Sequence, residues 1–369
     1  MKKIGIITFH RAFNYGAVLQ AYALRRAITK LGYDCEIIDY GNVGEEPRIN
    51  LNFKGIKTFL ASLFIFLLSF VNADIRRLKF KKFINKQIGI SKKRYKTKDE
   101  LFSANSEYDV FIAGSDQVWN CNLTNADLTY FLDFVNDDKI KISYSASFGM
   151  TLIPQHLVTV YSKFIKRFNK VSVRETSGQK IVKEIAGVES DVVLDPTLLL
   201  CKDEWDKISS RKIKNKKYIL CFIIMQDPPG LMAFCKHIKS LTGYKIIRLA
   251  NPVYKIEFDK KIISTAGPLD FISLIRNSSI IITNSFHGTT FAVLYEKPFY
   301  TFLYNNERDI RLKEIAMRLG LEERLINPEH LPKIKKEDIT NLDFSKTKQL
   351  LELGKSQSLE FIKSALRNY

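Results

Sequence analysis

The chain has 369 residues, 46% of them hydrophobic and 26% charged, which supplies two cores of ordinary size and excludes a disordered chain. Lysine and arginine number 58 against 39 acidic residues, and the net charge of +19 favours an anionic partner: nucleic acid, a membrane face or a phosphorylated small molecule. Five dispersed cysteines with no CxxC pair and no histidine at ligand spacing argue against a disulfide framework or a zinc site.

The N-terminal stretch MKKIGIITFH has no sustained apolar region and no cleavage site, so a cytoplasmic protein without a signal peptide is expected. The opening reads as a β-α-β unit: strand KIGIITF, helix AVLQAYALRRAITKLG and strand DCEIIDY, with HRAFNYGA joining the first two. No GxGxxG is present, but a glycine-containing turn at a helix N-terminus suits anions or sugar hydroxyls. Next comes an apolar and basic insertion, 55–98. Its run FLASLFIFLLSFV, Phe59 to Val71, would span only about 20 Å as a helix, short of the roughly 30 Å hydrocarbon core. Between Asn72 and Lys98 stand eleven basic residues and one acid. The segment therefore either packs on the first domain with a solvated basic face or rests on the inner face of the cytoplasmic membrane.

Strands YDVFIAGSDQVWN and KISYSASFG follow, then a helix from Pro154 to Phe168, strand KVSVRE, helix SGQKIVKEIAG and strand SDVVLDPTLL. The charged stretch Ser209 to Lys217 reads as a linker. A second alternating unit then runs from YILCFII through PPGLMAFCKHIKSLTG, YKIIRLA, KIIST, PLDFISLIRNS, SIIITNS and GTTFAVLYEK to PFYTFL. Alternating strands and helices predict parallel sheets covered on both faces. The expected fold is α/β, with two Rossmann-like domains facing a cleft. The first spans 1–208, the second 218–342, and a helical tail 343–369.

In such a fold ligands sit beyond the C-terminal ends of strands. The polar residues there are His10, Arg11, Asn14, Tyr15 and Gly16; Ser115, Asp116 and Gln117; Arg174; then Asn284, Ser285, His287 and Gly288; and finally Arg308 and Arg311. Arginines, a histidine and a carboxylate on one cleft suit an anionic substrate and proton transfer. Arg174 could be a surface ion-pair partner of Glu175, but neighbours on a strand face opposite ways, which favours a place for Arg174 in the site. Asp195, before Pro196, reads as a turn residue.

The ordered set GIITFHRAFNYGAVLQAYAL, AGSDQVWN, SYSASFG, SVRE, LDPTLLL, ITNSFHGTTFA and RLGLEERLI resembles the polysaccharide pyruvyl transferase family, from the N-terminus to about Asn327. The resemblance implies a fold like the GT-B glycosyltransferases. It also implies transfer of pyruvate from phosphoenolpyruvate to a sugar as a ketal, on a polysaccharide or lipid-linked oligosaccharide acceptor. Many relatives carry Arg-x-His-Gly where this chain reads Ser285-Phe286-His287-Gly288. The missing charge is then expected from Arg174, Arg308 or Arg311.

With that chemistry His287 is the expected general acid and Asp116 the expected base. Arg174, Asn284, Ser285, Gly288, Arg308 and Arg311 fall on the donor side. His10, Arg11, Asn14, Tyr15, Gly16, Ser115 and Gln117 fall on the acceptor side. No cofactor or metal is expected, phosphoenolpyruvate being a co-substrate. The rivals are a sugar-nucleotide glycosyltransferase of the same architecture and a nucleic-acid binder, against which the basic segment lacks a recognised motif.

Overall fold

The computed structural model describes residues 2–41, 71–210, 217–250, 261–340 and 342–367. The apolar stretch before Val71 and most of the Ser209–Lys217 linker lie outside them.

Two parallel sheets organise the chain. The first takes strands β1 (Lys3–Ile7), β2 (Asp34–Tyr40), β3 (Ile90–Tyr95), β4 (Val110–Ala113) and β5 (Ile140–Ser143) in the order β3-β2-β1-β4-β5. A small pair, β6 (Ser172–Val173) and β7 (Asp191–Val192), follows. The second sheet is built from β8 (Tyr218–Phe222), β9 (Lys245–Leu249), β10 (Lys261–Ile263), β11 (Ile280–Thr283), β12 (Phe299–Phe302) and β13 (Leu325–Ile326), in the order β10-β9-β8-β11-β12-β13. Helices cover both faces, and the central strands accordingly carry unbroken apolar runs: all of β4, β8, β11 and β12 is buried.

The order of strands decides where a ligand belongs. In the first sheet the chain reverses direction of travel between β1 and β4, in the second between β8 and β11. Crevices open beyond the carboxyl ends of strands at such switch points. The turns leaving β1, β4 and β11 carry Arg11 to Asn14, Ser115 to Gln117, and Asn284 with Ser285.

Ile90–Tyr95, read from sequence as part of the basic insertion, is the edge strand of the first sheet, in parallel register with β2. Its charged residues Lys92, Lys93 and Arg94 point to solvent, a composition that suits an unpaired edge. The C-terminal helix, Ser345–Arg367, packs back on the first sheet: the Phe361 ring lies 6.3 Å from Tyr144, and Leu194 N–H donates to Ser358 Oγ at 2.9 Å. Aromatic contacts join the halves directly, with Tyr15 stacked on Phe271 at 4.8 Å. Among the described residues no helix is long and apolar enough to cross a membrane.

Candidate active site

Two helix N-termini converge at the cleft. Asn14 takes an extended backbone and caps the helix Tyr15–Lys30 by accepting from Ala17 N–H at 3.3 Å. Ser285 caps the helix Phe286–Leu294 by accepting from Gly288 N–H at 3.3 Å. The sequence pattern started this second helix at Gly288. Because Ser285 is an effective N-cap, it begins at Phe286, and His287 stands on the first helical turn, not at the strand end. The His287 side chain rests against the backbone of Gly16. A β-carbon at position 16 would stand 1.9 Å from His287 Nδ1, so only glycine allows this approach. Gly288 has a packing role: a β-carbon there would meet Thr283 Oγ1 at 2.4 Å.

The most informative partner of His287 is one that sequence reading treated as a turn residue. Asp195 does shape the turn, accepting from Thr197 N–H at 3.0 Å and Thr197 O–H at 2.7 Å. Its other oxygen, Oδ2, accepts from Ser115 Oγ at 3.1 Å and Arg174 Nη1 at 3.2 Å, and lies 3.5 Å from His287 Nε2. Asp195 is 1% exposed. Burial alone would raise its pKa; the facing His287 and Arg174 and the Thr197 N–H outweigh it and hold the carboxyl below the usual range. No periodicity marks Asp195 for this place, since it depends on how the two sheets meet.

Arg174 is also more deeply engaged than expected. Its Nε donates to Glu175 Oε1 at 2.8 Å, and its Nη1 lies 3.8 Å from Asp116 Oδ1. The pairing with Glu175 corrects the strand-alternation argument: β6 ends at Val173, and Glu175 is already the cap position of the helix Thr176–Ala186. Burial opposes the charge on Arg174, but Glu175, Asp195 and Asp116 together outweigh burial and raise its pKa. The guanidinium stands 4.5 Å over the Phe286 ring, and its Nη2 is buried without a hydrogen-bond partner among the described residues.

Arg311 reaches the same recess from the helix Asp309–Leu319, alongside Asp195, Phe286 and Arg318. Its Nε is likewise buried and unpartnered among the described residues. Burial, then the neighbouring Arg174 charge, lowers its pKa. Two guanidinium groups thus line one recess, each with a buried N–H unpartnered among the described residues, a chemistry suited to anions.

The remaining candidates divide. Ser115 joins the site through Asp195. Asp116 stands beside it with a φ of 77°, a left-handed backbone unusual for a residue other than glycine, and its carboxylate accepts from Gln117 N–H. Gln117 Oε1 accepts from Asn120. Arg308 is exposed at the start of its helix, 5.9 Å from the Tyr304 ring, and is not drawn into the recess. Asn284 binds backbone on both sides, accepting from Ile224 N–H at 2.8 Å and donating to Ile224 O at 3.1 Å. Tyr15 is buried and donates its hydroxyl to Ala266 O at 2.9 Å. His10 and Arg11 both turn to Asp39: His10 Nε2 lies 3.0 Å from Asp39 Oδ1, and Arg11 clasps the same carboxylate through Nε and Nη2. Both side chains are therefore spent on Asp39, where they fix the turn after β1.

Two parallel sheets, each flanked by helices, make an α/β protein with a GT-B-like fold. The structural relatives agree. A putative UDP-N-acetylglucosamine 2-epimerase from Listeria monocytogenes has a TM-score of 0.54 at 12% identity, covering 100% of this chain and 97% of that one. UDP-GlcNAc 2-epimerase from Neisseria meningitidis, bound to UDP-GlcNAc, has a TM-score of 0.53 at 11% identity, covering 100% of both chains. At these identities the likeness is one of fold. No curated protein sequence matches the chain significantly. The model of the polysaccharide pyruvyl transferase family matches residues 14–306, and the chain belongs to that enzyme family.

Proposed function

We propose that this site transfers pyruvate from phosphoenolpyruvate to a sugar of a lipid-linked polysaccharide precursor, forming a ketal, in capsule, exopolysaccharide or cell-wall polymer synthesis. The observation that carries the reading is the pair of unpartnered guanidinium N–H groups, Arg174 Nη2 and Arg311 Nε, in the recess whose Asp195 wall also faces His287. Phosphoenolpyruvate brings two anionic groups, a carboxylate and a phosphate, to meet them. Arg311 supplies the charge that Ser285 does not.

The roles follow from the chemistry. His287, which faces the Asp195 carboxylate at 3.5 Å, gives a proton to the methylene carbon of phosphoenolpyruvate, which becomes a methyl group. One acceptor hydroxyl adds to the neighbouring carbon, and a second displaces phosphate. Of the two hydroxyl protons released, one is taken by Asp116 and passes through solvent to replace the proton that His287 gave, while the other leaves with inorganic phosphate. The first half of the chain, 1–208, holds the acceptor beside Ser115 to Gln117 and lends Arg174 to the donor, which the second half, 218–342, brings to the histidine.

Phosphate release from phosphoenolpyruvate, measured with a panel of synthetic oligosaccharide acceptors, tests this. Acceptor-dependent release that falls about 10²–10⁴-fold in His287→Ala is the expected result. Failure of the wild type to bind phosphoenolpyruvate in a direct titration overturns the reading.

A further inference from the structure

The helix over 71–83 has two faces with different contents. Its inner face buries Ala73, Arg76, Phe80 and Phe83. Arg76 Nη2 donates to Phe13 O at 2.6 Å, and its guanidinium lies 4.8 Å from the Phe80 ring and 5.3 Å from the Tyr15 ring. Phe80 in turn packs 5.8 Å from Phe13 and 5.2 Å from Tyr15. This face therefore holds the turn that ends at Gly16, against which His287 rests.

The outer face exposes Val71 (55%), Ile75 (38%) and Leu78 (66%), spaced so that they form one stripe along the helix. Exposed Lys81, Lys82 and Lys86 continue in the same direction of the chain. An apolar stripe flanked by cations is poorly suited to nucleic acid, which would leave the stripe in water. It suits a bilayer surface that offers acyl chains and anionic headgroups together.

We propose that the outer face of this helix docks on an anionic lipid bilayer, with the acceptor turn held on the opposite side of the same helix. Helices with their side chains are about 10–12 Å thick, so a lipid-borne acceptor would have a short path from the bilayer to the cleft. The docking rests on the proposed function only for what it delivers.

Co-sedimentation of the full chain with phosphatidylcholine vesicles, with and without phosphatidylglycerol, at low and high salt, tests the surface. Binding to the anionic vesicles at low salt is expected, weakened by salt. Replacing Lys81, Lys82 and Lys86 together by Gln is expected to weaken it on the order of a hundredfold, roughly fivefold per charge. The double variant Ile75→Ser/Leu78→Ser is expected to bind less tightly as well. Phosphate release with a water-soluble acceptor is expected to be unchanged in both variants, which shows that they are folded. No binding, equal binding to neutral vesicles, or binding indifferent to both variants overturns the docking. A change of oligomeric state in the Ile75→Ser/Leu78→Ser variant, read by sedimentation velocity, also overturns it, since the stripe would then cover a second copy. Vesicle binding without acceptor-dependent phosphate release would instead sink the proposed function and leave the docking standing.

Discussion

Asp195 Oδ2 lies 3.5 Å from His287 Nε2, and the two residues come from opposite halves of the chain. Asp195 follows β7 in the first half, whereas His287 rides the helix that follows β11 in the second. The contact exists only when the two sheets face each other as they do here, so the same geometry that closes the cleft also sets the histidine. Asp195 also accepts four hydrogen bonds, one each from Ser115 and Arg174 and two from Thr197, and these fix its carboxylate in place.

Asp195→Asn is expected to lower acceptor-dependent phosphate release by about a hundredfold or more, because the imidazolium loses its counter-charge. It also carries a pH signature. The Asp195 pKa is lowered in the folded chain, so the carboxylate contributes stability above its unfolded pKa of about 3.9 and loses it as pH falls toward the folded value. The stability gap between wild type and Asp195→Asn should therefore be present at about pH 5 and shrink as pH falls below about 4. Urea unfolding across that range measures it; a gap that widens in acid would contradict the assignment.

Gly16→Ala separates helix propensity from the site. Alanine in the first turn of a helix would ordinarily help by up to about 1 kcal/mol, but the added methyl meets the His287 ring at 1.9 Å, and overpacking costs about 1–3 kcal/mol. The variant is expected to be less stable in denaturant and to lose most of its activity while binding phosphoenolpyruvate near normally. A fully active Gly16→Ala enzyme would show that His287 does not need its observed position.

Arg311→Gln removes one of the two guanidinium N–H groups of the recess that are buried without a partner among the described residues. Charge-assisted hydrogen bonds are worth about 1.5–3 kcal/mol, so the KM for phosphoenolpyruvate is expected to rise about tenfold or more. Arg308→Gln, at an exposed helix start, is expected to change it by less than about twofold. Steady-state kinetics on both variants distinguishes the recess from the helix start, and equal effects would remove Arg311 from its assigned place.

Glu314 offers a test of how the halves are held. Its carboxylate accepts from Thr176 N–H and, at 3.2 Å, from Ser177 N–H, capping a first-half helix whose own cap residue, Glu175, makes no side-chain cap bond. Glu314→Ala is expected to cost about 1–2 kcal/mol of unfolding free energy. Limited proteolysis should also show faster cleavage between the halves, and an unchanged digest would argue that this bond is incidental.

Much of the architecture was legible from the chain alone. Buried parallel strands read as unbroken apolar runs, and their alternation with amphipathic helices requires two covered sheets, whatever the detail of packing. The residues just beyond those strands, including Gly16, Asp116, Arg174 and His287, could be placed near a cleft for the same local reason. Contacts between remote segments could not be read in that way. The pattern offered His10 and Arg11 to a ligand, yet Asp39 on the next strand occupies both. It left Asp195 as a turn residue, yet the second sheet brings His287 to it. Local periodicity determined which residues stand at strand ends; the packing of one sheet against the other decided which of those side chains are spent on each other and which, like Arg311 through its Nε, keep a buried N–H without a partner among the described residues. The reason is physical: strand and helix formation depend on neighbours a few positions away, whereas buried charges are paired by whatever tertiary packing brings within reach.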